Sequence, residues 1–165
     1  MTAVLVAAGA FVAMEAVSYL MHRFVMHRIG WSVHADHHRP NRSGWERNDL
    51  FPTSFSTLAI ALFFVGTSRP GFGLLVAAGI GMTAYGMAYV YVHEVCIHQR
   101  LHVDVPVGRY GEWLRRMHRI HHLYGGEPYG MLLPIVPGAL RHRAALDERE
   151  PLPRAASTRA RRNRL

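Results

Sequence analysis

The chain has 165 residues, the length of one domain with a single core. Half of its residues are hydrophobic, yet its formal net charge is +8 and all 19 basic residues are arginines. With a single cysteine, Cys96, the sequence excludes a disulfide framework and a metal site built from several thiolates. We expect Cys96 itself to be a small buried hydrophobic residue.

The first predicted element is an apolar segment over residues 1–21, in which Glu15 is the single charged residue. At about 1.5 Å per residue its helix would be roughly 30 Å long, enough to cross the hydrocarbon core of a bilayer. The segment lacks a basic start and a cleavage motif, so we predict a retained anchor rather than a signal peptide. A carboxylate in a membrane segment is functional by default, and we expect Glu15 to face the bundle interior. The alternative is a hydrated carboxylate near the segment end.

Two further apolar segments follow in the chain. Residues 72–92 are uncharged and long enough to cross a bilayer, whereas residues 54–68 are shorter. The shorter segment spans only if its helix extends back toward Phe51; otherwise it is one arm of a shallow hairpin with its turn at residues 69–71. Residues 129–140 contain two prolines and are predicted to be interfacial. The predicted fold is therefore an all-α integral membrane protein with three to four membrane-embedded helices, in one domain over residues 1–145.

The distribution of arginine predicts the orientation of these segments. Arginines are concentrated after residues 1–21 and after residues 72–92, whereas the turn between the second and third segments carries only Arg69. By the positive-inside rule, we expect the N-terminus outside a bacterial-type inner membrane and the C-terminus and every histidine on the cytoplasmic side. Residues 146–165 are predicted to form a basic, disordered tail that meets anionic membrane lipids or an acidic electron donor rather than nucleic acid.

Ten of the 12 histidines form a repeated pattern. A pair with four residues between its members is followed by a triplet, and the same pair and triplet then recur, each pair following an apolar segment. The ten residues are His22, His27, His34, His37, His38, His93, His98, His118, His121 and His122. Ordered recurrence of four motifs disfavours chance. His102 and His142 fall outside the pattern and are predicted to be polar groups at the lipid headgroups.

The spacing of the histidines predicts their geometry. In a helix, the three members of a triplet project within about 100° of arc on one face, where their imidazoles can bind one metal ion. The two members of a pair lie about 140° apart around an α-helix, so we expect them to bracket a metal from a helix end rather than share a face. Ten imidazoles can surround two metal ions, and zinc, copper, iron and nickel all suit such ligands.

Three stretches of the chain resemble the β-carotene 3-hydroxylase family, within the wider fatty acid hydroxylase and sterol desaturase-like group of membrane di-iron proteins. They are HADHHRPNRSGWERNDLF at residues 34–51, YVHEVCIHQR at 91–100 and HRIHHLYGGEPYGMLL at 118–133. The resemblance covers about residues 15–135. The chain departs from the family pattern at Glu94, where Asp is expected, and at the additional His102; both departures concern the substrate pocket more than the metal ligands.

The resemblance implies a non-heme di-iron monooxygenase that hydroxylates C3 of the β-ionone rings of a carotenoid, converting β-carotene to β-cryptoxanthin and zeaxanthin. Its co-substrate would be O2, and its electrons would come from a ferredoxin-like donor. The ten patterned histidines would hold two iron ions, with one or two of them outside the coordination; a crystal could hold zinc instead. Candidate acceptors that fix the imidazole tautomers are Asp36, Asn48, Asp49 and Glu94, with surface pairing to arginine as the alternative for the carboxylates. Glu15 is a further candidate for a residue that supports the metal ligands.

The substrate pocket and the reaction leave alternatives open. Phe72, Tyr85, Tyr89 and Tyr91 are candidates for lining a substrate channel, with ordinary helix packing as the alternative. Another membrane lipid, either a fatty acyl chain or a sterol, could be hydroxylated or desaturated instead. A non-enzymatic metal-binding or transport module is the third hypothesis, but transport predicts ligands throughout the bilayer depth, whereas these histidines begin where the apolar runs end. The sequence leaves the oligomeric state open.

Overall fold

Helices make up all the regular structure in the computed structural model, which describes residues 1–39, 44–101, 103 and 105–140. Within these residues there is no β-strand, which confirms the all-α prediction. The basic tail, His102 and His142 lie outside the described residues. Cys96 is buried and makes no disulfide, in line with the expectation from its apolar segment.

The N-terminal half begins with helix α1, Thr2–Leu20, which continues without a break as a π-helix over Met21–Ile29. A short helix α2, Trp31–His34, follows directly. A 3-10 turn at Arg47–Asp49 leads into helix α3, Leu50–Ser68. The start of this turn is held by a capping box, in which Glu46 and Asp49 each accept a hydrogen bond from the other's backbone N–H.

The C-terminal half repeats the arrangement of the first. Helix α4, Leu74–Tyr89, also continues as a π-helix, over Val90–Ile97. Helix α5, Arg109–Tyr124, ends at Gly125, whose φ of 66° is a left-handed conformation that glycine adopts without strain. Residues 129–140, predicted to be interfacial, follow α5, and Val136 packs against Met117 and Ile120 of that helix.

Three helices are long and apolar enough to cross a membrane: Thr2–Ile29, Arg47–Ser68 and Leu74–Ile97. The second helix corresponds to the longer of the two sequence alternatives, because α3 already begins at Leu50, before Phe51. Many of their apolar side chains point outward; Val4, Val12 and Phe64 are about 70% exposed (72%, 69% and 71%). Such surfaces suit contact with lipid chains, so the chain is an integral membrane protein.

Helix α4 packs against both α1 and α3. Gly81 permits the contact with α1, because a Cβ at this position would lie 2.1 Å from the carbonyl oxygen of Ala7. Small residues commonly allow membrane helices to approach this closely. Helices α1 and α4 run parallel and α3 runs antiparallel to them, so α1 and α4 end, and α3 begins, at the same end of the bundle. This end carries the patterned histidines.

Candidate metal centre

The patterned histidines converge at the end of the bundle where α1 and α4 finish. Nine of the ten form two groups, within each of which one nitrogen per residue lies within 4.8 Å of the others. Group A consists of His22, His27, His34, His38 and His121, and group B consists of His37, His93, His98 and His118. Each group could hold one metal ion.

The two groups do not follow the two halves of the sequence repeat. The first pair and triplet contribute His37 to group B, and the second pair and triplet contribute His121 to group A. These two residues occupy the same position, the middle of their triplets. The halves of the repeat thus exchange one imidazole each, and each group contains residues from both halves.

The tenth histidine, His122, lies between the groups. Its Nε2 is 2.8 Å from Nε2 of His118 in group B. Its ring stacks on that of His38 in group A, with centroids 4.3 Å apart and an interplanar angle of 17°. His122 therefore contacts both groups.

The π-helical segments bring the two members of each pair together. In a π-helix the hydrogen bonds connect residues five apart, as in the bond from the amide of His98 to the carbonyl of His93 at 2.9 Å. The ring centroids of His93 and His98 lie 4.5 Å apart, and those of His22 and His27 lie 5.0 Å apart. The prediction that a pair cannot share a face was wrong, because it assumed α-helical geometry, in which five residues overshoot one turn.

The two triplets are built differently. The second triplet lies on one face of α5, as the helical spacing predicts. The first triplet begins at His34, the last residue of α2, and continues in a turn in which the amide of His37 donates to the carbonyl of His34 at 3.1 Å. The turn directs His37 toward group B while His34 and His38 stay in group A.

The distances between ring nitrogens in group B match metal ligation. Nε2 of His118 lies 2.9 Å from Nε2 of His98 in the same group and 2.8 Å from Nε2 of His122, which lies between the groups. A neutral imidazole Nε2 carries either one proton or one lone pair, so it cannot pair well with two other ring nitrogens. Unprotonated ring nitrogens this close together would suit joint ligation of one cation.

Group A has the same short spacing. Nε2 of His27 lies 3.0 Å from Nε2 of His121, and Nε2 of His34 lies 3.1 Å from Nε2 of His38. In both groups, therefore, unprotonated nitrogens can converge on a point that a single cation would occupy.

Two buried ring nitrogens have no hydrogen-bond partner among the described residues: Nε2 of His22 and Nε2 of His37. Their residues are only 6% and 4% exposed. A buried polar atom left unpaired costs about 1–3 kcal/mol. A metal ion in each group would give both atoms a partner, so the residues present fit two metal ions.

The opposite ring nitrogen, Nδ1, faces an oxygen acceptor in five of the histidines. An Nδ1–H that donates to oxygen leaves Nε2 unprotonated, which is the tautomer that a metal requires. The five contacts are His22 to the carbonyl of Tyr129 at 3.0 Å, His34 to Oδ1 of Asn48 at 2.6 Å, His37 to Oε2 of Glu46 at 2.9 Å, His93 to Oε1 of Glu94 at 2.6 Å and His121 to the carbonyl of Gly126 at 2.6 Å.

Two of the four predicted acceptors, Asn48 and Glu94, contact imidazoles in this way. The other two make different contacts. Asp49 accepts two hydrogen bonds from Arg100, at 2.9 and 2.8 Å. Oδ2 of Asp36 accepts a hydrogen bond from the backbone N–H of Arg47 at 2.6 Å, and its Oδ1 is buried with no partner among the described residues.

Two functional candidates, Glu46 and Arg100, were not predicted from the sequence. Glu46 accepts the Nδ1–H of His37, and Arg100 joins Glu94 to Asp49, with a hydrogen bond of 2.7 Å to Glu94. Pairing with two carboxylates raises the pKa of Arg100, chiefly through its hydrogen bond to Asp49. One signal was present for Glu46, since the spacing from Glu46 to Asp49 is that of a capping box.

Glu15 points into the bundle interior, but its described partners are not histidines. Its carboxylate accepts a hydrogen bond from the hydroxyl of Tyr85 at 2.7 Å. It also accepts hydrogen bonds from the three consecutive backbone amides of residues 131–133, at 2.9–3.1 Å. The carboxylate therefore ties the chain after α5 to the middle of the bundle.

Residues 125–133, here called the strap, connect this anchor to group A. The strap carbonyls of Gly126 and Tyr129 are the acceptors for His121 and His22. A second anchor is the strap carboxylate of Glu127, which accepts hydrogen bonds of 2.7 Å from the hydroxyl of Tyr19 and from the guanidinium of Arg23. No pattern of residue types could have predicted the contacts of His121 and His22 with the strap, because their acceptors are backbone carbonyls.

Burial keeps the imidazoles neutral. It lowers the pKa of His37 and of His98 to about 3 and that of His121 to about 2, with nearby imidazoles adding to the shift in each case. Burial also holds the pKa of His118 well below its usual range. Because protons compete with metal ions for ring nitrogens, these residues are ready to bind metal at neutral pH.

An apolar cavity of about 630 Å³ adjoins the histidine groups, between α1, α3 and α4. Three of the four residues predicted to line a channel, Tyr85, Tyr89 and Tyr91, line it. Phe72 does not, because it lies in the turn before α4, at the opposite end of the bundle. Tyr89, with Ser18 and Met26, also lines a small space beside His22, His34, His37 and His93.

The known proteins to which this chain is similar are hydroxylases. The family model for fatty acid hydroxylases matches residues 7–137. The chain is 39% identical over 132 residues to a chloroplastic beta-carotene 3-hydroxylase from an Oncidium hybrid cultivar, covering 77% of this chain and 43% of the relative. It is 41% identical over 116 residues to a beta-carotene hydroxylase from Pseudescherichia vulneris and 38% identical over 117 residues to one from Pantoea ananas.

These two alignments cover 70% of this chain and 65% and 66% of the relatives, so the chain spans less than two thirds of the length of all three. The matches confirm the family resemblance carried by residues 34–51, 91–100 and 118–133. No solved structure matches the chain.

Proposed function

Because the chain belongs to the fatty acid hydroxylase family, we propose that it is a membrane monooxygenase with two non-heme iron ions. Its substrate is a carotenoid, and the product carries a hydroxyl group at C3 of the β-ionone ring; β-carotene is converted to β-cryptoxanthin and zeaxanthin. The observation that carries the proposal is the pair of interleaved, all-imidazole groups at one end of three apolar helices. The names of the similar curated proteins support the choice of substrate.

The proposed ligands are the residues of groups A and B, with His122 adjacent to both. Imidazole ligands alone would also suit zinc or copper, and family membership favours iron. When bound, an iron pair supplies the oxidation of an unactivated C–H bond with O2 and two external electrons, which amino-acid side chains cannot supply.

The residues around the groups prepare the ligands. Asn48, Glu46 and Glu94 accept the Nδ1–H of His34, His37 and His93 and so direct each Nε2 inward. The strap carbonyls do the same for His22 and His121. Burial keeps the rings unprotonated, and the adjoining apolar cavity keeps bulk water from the reacting carbon.

We also propose that the histidine end of the bundle faces the cytoplasm of a bacterial-type cell, with the N-terminus outside. Arg109, Arg115 and Arg119 lie on α5, whereas the turn at the other end of the bundle carries only Arg69. A basic surface next to the metal centre suits an acidic, ferredoxin-like electron donor.

The closest alternative is oxidation of another membrane lipid, such as a fatty acyl chain, which the breadth of the fatty acid hydroxylase family favours. Metal transport is disfavoured by the geometry. Both groups lie at one end of the apolar helices, whereas a transport path needs ligands through the depth of the bilayer.

Expression in a bacterial host that accumulates β-carotene tests the proposal. We expect the intact chain to convert the pigment to β-cryptoxanthin and zeaxanthin, measured by chromatography of extracted carotenoids. Replacement of His121 by Ala removes a ring whose Nε2 is 3.0 Å from that of His27, and should abolish conversion. His102→Ala is the matched control and should convert normally, since His102 belongs to neither a pair nor a triplet.

Two other outcomes would contradict the proposed substrate or the proposed enzymatic activity. Unchanged pigment together with oxidised acyl chains would favour the alternative substrate. Purified protein without bound transition metal, and without O2-dependent turnover, would contradict the enzyme itself.

A further inference from the structure

We propose that the apolar cavity between α1, α3 and α4 binds the terminal ring of the substrate and that Gly86 provides the space for this ring. The identity of the ring rests on the proposed function. The walls of the cavity come from all three membrane-spanning helices and include Met14, Phe55, Ala59, Phe63, Gly86 and Tyr89. A surface of this composition can bind an apolar cyclic group by burial alone.

On α3 and α4 the wall of the cavity includes residues that are exposed on the outside of the bundle. The residues at its edge include Ile60, Met87 and Tyr91, whose exposed fractions are 67%, 70% and 52%. All three lie on helices long enough to span a membrane. A substrate dissolved in the bilayer can therefore enter from the lipid without crossing water.

The inner end of the cavity meets the metal centre. Ser18, Met26 and Tyr89 line both the cavity and the small space beside the histidines, so this layer of side chains separates the two. The ring of Tyr89 stacks on that of His93, with centroids 4.8 Å apart. Met26 has a flexible side chain that can adjust to a bound ligand. A ring in the cavity is thus held next to groups A and B.

Gly86 is the position at which this proposal can be tested most cleanly. A Cβ added at Gly86 meets no atom within 4 Å, so a larger side chain would fill the cavity and leave the helices in place. Gly81, on the same helix, has no such space around it, because an added Cβ would clash with Ala7. Gly9 on α1 also has open space around it, but it does not line the cavity. Gly9 therefore supplies a matched control.

The experiment compares Gly86→Ala, Gly86→Leu and Gly9→Leu in the host that accumulates β-carotene. We expect Gly86→Leu to reduce hydroxylated carotenoid by at least about tenfold, since the added side chain takes the place of the ring. Gly86→Ala should give an intermediate loss, and Gly9→Leu should match the parent chain. Iron content per purified chain should be the same in all four proteins, because no metal ligand is touched.

Normal conversion by Gly86→Leu would overturn the proposal, and so would an equal loss in Gly86→Leu and Gly9→Leu. If the leucine variant folds poorly and loses iron, Gly86→Ala decides: reduced conversion at full iron content supports the cavity, and normal conversion overturns it. Failure of the parent chain to hydroxylate β-carotene would instead contradict the proposed function. Loss of acyl-chain oxidation confined to the Gly86 variants would then make an acyl chain, and not a ring, the occupant.

Discussion

The oxygen acceptors opposite the metal-facing nitrogens differ between the two histidine groups. In group B, His37 and His93 donate to the carboxylates of Glu46 and Glu94. In group A, the described acceptors are the amide of Asn48 and two backbone carbonyls. A carboxylate acceptor makes an imidazole a more basic ligand than a neutral acceptor does. His37 and His93 would therefore be the more electron-rich ligands, and metal ions bound in the two groups would not be equivalent.

Glu46→Gln tests the importance of these acceptors. The substitution keeps the shape of the side chain but removes its negative charge, so the metal affinity of group B should fall by about 10–100-fold. Titration of the metal-loaded protein with a chelator should show one metal released more easily and the other unchanged. Glu112→Gln is the control, because Glu112 is about half exposed (48%) and pairs with Arg115 on α5. Equal weakening of both metals would contradict the prediction.

Two structural elements position the histidines: the π-helical ends of α1 and α4, and the strap. The π-helices place residues five apart on one face, which aligns each histidine pair at the point where a membrane helix ends. The strap crosses from α5 to the carboxylate of Glu15, and two of its carbonyls orient ligands of group A. Glu15 therefore contacts the strap and not the histidines, which predicts that it is a positioning residue for group A.

Glu15→Gln should loosen the strap, because a neutral amide accepts less strongly than a carboxylate from the three amides of residues 131–133. We expect a loss of about 2 kcal/mol in the free energy of unfolding. Metal loss should affect group A first, since the strap carbonyls serve His22 and His121. Tyr85→Phe removes a single hydrogen bond to the same carboxylate and should have a smaller effect. Unchanged thermal stability and full metal content in Glu15→Gln would count against this role.

The whole molecule brings many neutral imidazoles together at one end of an apolar bundle. The histidine pairs lie in the π-helical ends of the parallel helices α1 and α4. The second triplet lies on α5, and the first triplet lies at the end of α2 and in the turn after it. The interleaving of His37 and His121 ties both halves of the chain into both groups. Binding of metal to either group would therefore be coupled to the association of the two halves, and a bound metal would stabilise the fold by mass action.

The stability of the metal-free protein should depend on pH with a defined sign. His37, His98 and His121 have pKa values of about 3, 3 and 2 in the folded protein, against 6.5 in the unfolded chain. Between these values the unfolded chain binds more protons, so the free energy of unfolding falls as pH falls from about 6.5 toward about 3. Each group contributes up to about 1.4 kcal/mol per pH unit in that window. This pH dependence fades above about pH 6.5, as the unfolded chain also loses its protons.

Thermal unfolding of the metal-free protein in detergent, measured between pH 8 and pH 5, checks this sign. The melting temperature should be nearly constant above pH 7 and should decrease on acidification. Metal-loaded protein should melt at higher temperature throughout, since ligation excludes protons from the same nitrogens. A melting temperature that rises on acidification would contradict the prediction.

Much of this protein follows from local features of its sequence. Hydropathy was sufficient to predict the two longer membrane-spanning segments, residues 1–21 and 72–92. Crossing a bilayer depends on the length and polarity of one segment. The repeated histidine spacing was sufficient to single out the ten residues that converge. It also predicted the shared face of the second triplet, since a helix face depends only on residues three and four apart. Glu94 could be picked out because it directly follows His93, the histidine that it contacts.

Other features required the tertiary structure. The exchange of His37 and His121, the contacts of Arg100 and the strap carbonyls all join residues from separate segments, and spacing along the chain does not encode which segments meet. The π-helices also escaped prediction, because their hydrogen-bond register is selected by packing rather than by residue type. The sequence by itself determined which side chains were available as ligands and which helices could enter a membrane. Only the packing of those helices decided how the ligands divide into two groups, because that division depends on contacts between distant parts of the chain.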